Sequence, residues 1–134
     1  MMRRALRLLL AVAMTAVGIL HFVAPEGFVR IVPAYLPAPL ALVLVSGVAE
    51  VLGGVGLLVA RTRRMASFGL VALYVAVFPA NVNMALHDLP LGDAHVPTAF
   101  LWLRLPLQLV LIVLALWVGK PDRGLDHAES LVRR

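Results

Sequence analysis

Glu50 and Arg104 are the residues best placed to do chemistry in this chain, because both sit where charge is least expected. Glu50 is at the middle of residues 39–60, PLALVLVSGVAEVLGGVGLLVA, and Arg104 interrupts the apolar run around LWLRLPLQ. About 20 apolar residues are enough to cross a hydrocarbon core of roughly 30 Å. A charged side chain at the centre of such a helix costs about 2.5–3.5 kcal/mol on insertion scales, so it is normally turned toward protein or a cavity. Ser46, Gly47, Gly53 and Gly54 lie three and four residues either side of Glu50 and share its helical face. Small residues there admit a second helix at close range. Glu50 is therefore expected to face protein, with Arg104 as its ion-pair partner across the bundle.

Other polar residues fall at similar depth. Gln108 follows Arg104 by one turn on the same face, Asn81 and Asn83 lie in the outer turns of the third apolar segment, and His21 ends the first. Glu50, Arg104, Gln108, Asn81, Asn83 and His21 thus form the expected ligand-binding or proton-relay set, with Tyr74 and Phe78 as an aromatic pocket wall. Pro79 and Pro106 cannot donate to the carbonyls of Val75 and Trp102, and the arginine and amide side chains carry donors that could satisfy them. A purely structural reading stands beside this one. In it Glu50 and Arg104 fix helix register and the amides satisfy the freed carbonyls.

The elements that must position these residues follow from the apolar pattern. The chain has 134 residues, 62% of them hydrophobic, in four apolar blocks. The expected fold is an all-α membrane protein, a four-transmembrane-helix bundle with helices over about 5–24, 40–60, 65–87 and 98–118. These make one domain, 1–118, followed by a charged tail, 119–134. The first block resembles a signal peptide, but its apolar run exceeds an h-region and no small-residue cleavage pattern follows, so a retained helix is expected. Residues 25–38, PEGFVRIVPAYLPA, are too short and proline-rich to span. Pro25 and Glu26 suit the first turn of a short interfacial helix with Phe28, Ile31 and Val32 on one side. Phe28 and Tyr35 suit the membrane–water boundary, and the segment is expected to fold over the bundle mouth.

Charge gives an orientation. Arg3, Arg4, Arg7, Arg61, Arg63, Arg64, Lys120, Arg123, Arg133 and Arg134 fall on one side, against Arg30 on the other. The positive-inside rule then places both termini in the cytoplasm of a multi-pass protein of the cell (inner) membrane. The net charge of +5 is accounted for by this bias, and nucleic acid is not the expected partner. With no cysteine, thiol exchange, thiolate metal sites and Cys-anchored haem are excluded. No histidine pair has metal-binding spacing, and there is no phosphate loop or nucleophile elbow.

GILHFVAPEGFVRIVPAYLP, SGVAEVLGGVGLL, RTRR, FPANVNMAL and LWLRLPLQ together resemble the DoxX family, in a bacterial branch of small membrane proteins. The resemblance covers about Leu6 to Trp117, and the family's acidic residue in a glycine-rich second helix corresponds to Glu50 with Gly53 and Gly54. It implies a membrane protein linked to redox complexes. One archaeal relative is a subunit of a thiosulfate:quinone oxidoreductase, other bacterial members are linked to oxidative-stress complexes, and a distant animal relative assists receptor assembly. No catalytic set follows from it.

Three function classes are open on these grounds. The first is a small-molecule-binding, redox-associated membrane subunit. Quinone would be the candidate cofactor, the lipid bilayer the surroundings, and a redox-enzyme subunit or a second copy of the chain the candidate partner. It would not be an enzyme on its own, but a subunit of a membrane oxidoreductase. The second is an assembly or interaction protein whose Glu–Arg cluster is structural. The third is a small proton-coupled exporter, opposed by the position of the glutamate in the second segment and by the one-sided charge.

Overall fold

The computed structural model describes residues 1–90 and 95–121. It has five helices: α1 (Met2–Val23), α2 (Pro25–Val29), α3 (Pro39–Leu58), α4 (Arg63–His87) and α5 (Thr98–Val118). No strand occurs among the described residues, and the four long helices are each long and apolar enough to cross a membrane. Their limits fall within three residues of those expected, because long apolar runs bounded by proline, glycine and charge set them. Asp93 of the connecting loop and most of the expected tail, from 122 onward, lie outside the described residues.

The four long helices form a ring in the order α1, α3, α4, α5, with α1 against α3 the most extensive contact. α3 and α5 stand diagonally and share almost no direct packing. The tight α1–α3 contact has a simple cause. A Cβ on Gly18 would lie 2.8 Å from the Gly47 carbonyl oxygen, and one on Gly54 2.7 Å from that of Ala11. Here one backbone rests on another, as small-residue faces allow in membranes. Gly53 faces the other way, where a Cβ would run into Leu70 of α4. The small-residue face expected around Glu50 therefore exists, and it is shared between α1 and α4.

Two apolar clusters hold the ring. At the end carrying the N-terminus, Leu10, Ala11, Leu57, Leu70, Ala115 and Val118 pack together with Met14 and Tyr74. At the opposite end, Ile31, Met84, Ala85 and Leu101 form a second cluster. The carbonyls at the C-terminal end of α5 are satisfied by side chains from other helices. Arg7 Nε donates to Val118 (2.9 Å) and Ser67 Oγ to Ala115 (2.7 Å). Arg63 Nε similarly donates to Leu57 at the end of α3 (3.1 Å). The last four carbonyls of a helix have no partner within it, and of these three only Ala115 also accepts a capping backbone N–H among the described residues, from Gly119 (3.0 Å).

The segment after α1 folds over the bundle, as expected, and Phe28 is only partly exposed. It turns inward and stacks on His21, with ring centroids 3.8 Å apart and planes 21° apart, whereas Tyr35 is exposed. Asn83 Nδ2 donates to the Ile31 carbonyl (3.0 Å) and pins the segment to α4. Ala38, in the left-handed conformation at φ 49°, turns the chain into α3.

The glycine contacts give a paired prediction. Gly54→Val should lower stability by at least about 1–3 kcal/mol, as overpacking does. Gly69→Ala should be neutral or stabilising by up to about 1 kcal/mol, since a Cβ there meets nothing within 4 Å. Thermal melts of the two variants in detergent measure both.

Candidate functional site

Between the two apolar clusters lies a cavity of about 550 Å³, lined by all four long helices and by the segment following α1. Its walls are mostly aliphatic, and its polar groups fall into two sets. Leu73, Val77 and Ala80 carry much of the α4 wall, with Tyr74 and Asn81 at its edge toward α5. The floor is closed where the Tyr74 hydroxyl donates to Met14 Sδ at 2.9 Å, tying α4 to α1 above the buried cluster.

The first polar set belongs to α1 and α3. Glu50 is only 8% exposed, and its Oε2 lies 3.2 Å from Nδ1 of the buried His21. That nitrogen is also 2.9 Å from the Val17 carbonyl oxygen, which can only accept. Nδ1 must therefore carry the hydrogen, and it is spent on Val17. The proximity to Glu50 is thus a close electrostatic contact and not a hydrogen bond, and Oε2 is left without a hydrogen-bond partner.

The second set belongs to α4 and α5. Asn81 Nδ2 donates to Gln108 Oε1 (2.7 Å), and Gln108 Nε2 donates to the Tyr74 carbonyl. Arg104 donates to Asn81 Oδ1 (3.3 Å) and to Met84 Sδ (3.2 Å). One chain of hydrogen bonds thus runs from the arginine to the backbone of α4.

Several expectations are corrected by this geometry. Glu50 and Arg104 line the same cavity but form no ion pair, because the glycine face draws α3 onto α1 and leaves α5 diagonal to it. Gln108 donates to the carbonyl of Tyr74, one residue before the acceptor that Pro79 frees. Asn83 is not brought to the cavity, since its amide holds the Ile31 backbone. Phe78 is 41% exposed and lines no part of the cavity, because the inward stripe of α4 is centred on Leu73, Val77 and Ala80. His21, Glu50, Tyr74, Asn81, Arg104 and Gln108 are brought together. Phe28 was missed as a site residue. Its one-turn spacing from Pro25 at a helix start was the available signal for a short inward-facing helix.

Residues 10–119 match the domain of unknown function DUF8561. The chain belongs to that family. The DUF8561 segment includes every residue that lines the cavity and stops short of Arg7. No curated protein and no solved structure matches the chain.

The two amide and aromatic assignments can be separated by mutation. Gln108→Leu removes a buried amide bonded at both ends and should cost about 1–3 kcal/mol. Phe78→Ala, losing a side chain on the outer face, should cost less than about 1 kcal/mol and leave any ligand binding unchanged. Detergent melts and a binding assay on both variants provide the comparison.

Proposed function

We propose that the chain is a multi-pass protein of the cell (inner) membrane, with both termini cytoplasmic, that binds a small lipophilic, quinone-like molecule as a redox-associated subunit. The observation that carries this reading is the cavity. A volume of about 550 Å³ falls in the usual range of ligand sites, roughly 300–1,000 Å³, with apolar walls and a few convergent polar groups. Arg104 uses two of its several N–H groups on Asn81 and Met84, so it has donors left for a ligand carbonyl. The aliphatic walls suit an isoprenoid or alkyl tail. The resemblance to the DoxX family supports the same class by analogy. Electron carriers would belong to a partner subunit, and the chain alone would hold and orient the quinone.

A second reading is an assembly or interaction protein. What favours it is that Arg104, Asn81, Gln108 and the Tyr74 carbonyl satisfy one another within the fold.

Purified protein in detergent or nanodiscs should bind an alkylated quinone analogue with saturable stoichiometry, and Arg104→Leu should weaken that binding by about tenfold or more. Absence of saturable binding, together with a stoichiometric protein partner in membranes, would instead favour the assembly reading. The orientation has its own test, made simple by the lack of native cysteine. Thr62→Cys should react with an impermeant thiol reagent from the cytoplasmic side only, and Tyr35→Cys from the outer side only.

A further inference from the structure

Among the described polar residues that line the cavity, Glu50 is the one whose hydrogen-bonding capacity is wholly unspent. Oε2 is sealed beside His21 Nδ1, a hydrogen already given to Val17. Oε1 likewise takes no hydrogen bond from any described residue, which leaves it as the oxygen available to the cavity that Glu50 lines. A carboxyl group can accept several hydrogen bonds, and a buried one left with none is costly. Ser46, the nearest hydroxyl on the same helix face, donates to its own backbone at Val43 (2.8 Å) and supplies nothing. Tyr74 gives its hydroxyl hydrogen to Met14. Among the described residues no side-chain donor is left on that side of the cavity.

Across the cavity the deficit is reversed. Arg104 is rich in donors, and one of the two acceptors it has found is a thioether sulfur, which is weak. An acceptor carboxyl group on one wall and a donor guanidinium on another, without contact between them, suit a neutral head group that gives a hydrogen bond at one end and takes one at the other. A fully oxidised quinone has only acceptors and cannot donate to an ionised Glu50.

We infer that the cavity selects lipophilic hydroxyl compounds of the phenol or hydroquinone class, whose O–H donates to Glu50 while oxygen elsewhere on the head group accepts from Arg104. This rests on the proposed ligand-binding role and makes it more specific. It assigns Glu50 as the residue that discriminates an O–H from an ether or carbonyl oxygen.

The test compares three probes with the same alkyl tail on the full chain in nanodiscs under anaerobic conditions: an alkylhydroquinone, its dimethyl ether and the corresponding quinone. A hydrogen bond to a carboxylate predicts that the hydroquinone binds about tenfold or more tighter than the ether. The quinone is expected to resemble the ether. In Glu50→Gln, whose amide offers a donor as well as an acceptor, the gap should shrink and the quinone should gain. If Glu50→Gln does not fold, Glu50→Asp takes its place, and its shorter reach should narrow the same gap. Equal binding of all three probes to the native chain overturns the inference while leaving the quinone-class reading intact. Binding of none overturns both. Binding of an alkylphenol but not of the quinone upholds the inference and removes the quinone from the proposal.

Discussion

Backbone contact between α1 and α3 is the constraint on which the rest of the structure depends. In a membrane there is little hydrophobic force to bring helices together, so close packing and polar contacts must do it. Gly18, Gly47 and Gly54 let two main chains touch where any side chain would collide. That contact commits one face of α3 to α1 and the adjoining Gly53 to α4, and it leaves α3 and α5 apart. The cavity is the space that results. Glu50 lies in the wedge between the two commitments, which is why it meets His21 and not the arginine on the far helix.

The polar residues form a layer, with an apolar cluster on either side. A hydrogen bond placed there is shielded from water and fixes the relative rotation of the helices that share it. The α4–α5 half of the layer is closed: each amide end of Asn81 and Gln108 has a partner. The α1–α3 half is open at Glu50. One side of the cavity is thus rigidly specified and the other holds an unmet demand. The partnerless carboxyl oxygen of Glu50 is the group that the proposed ligand would complete.

Much of this was legible from residue types and spacing. The helices, the inward aspect of Glu50 and the grouping of His21, Asn81, Arg104 and Gln108 all follow from apolar length and the 3.6-residue period. What periodicity cannot supply is which neighbour a face meets. Opposite charge suggested Arg104 for Glu50, but the glycines at 47 and 54 had already chosen α1, and charge attraction did not override backbone fit. The misplacement of Phe78 has a similar origin. Tyr74 and Phe78 are one turn apart, yet the stripe that faces inward is centred a fraction of a turn away, and Tyr74 is at its edge. The stacking of Phe28 on His21 was not legible, because nothing local reveals that the two rings meet.

The bond from Arg7 to Val118 joins residues 111 positions apart, nearly the full described length of the chain. An arginine that would ordinarily be counted only toward sidedness also closes the ring between the first helix and the last. During synthesis α1 is made first, and these carbonyls emerge only when α5 is complete. The seam between α1 and α5 therefore cannot form until α5 has been made, and a product cut short before α5 ends would lack the Val118 and Lys120 carbonyls to which Arg7 donates. A side chain of the first helix in this way registers whether the last helix has been completed.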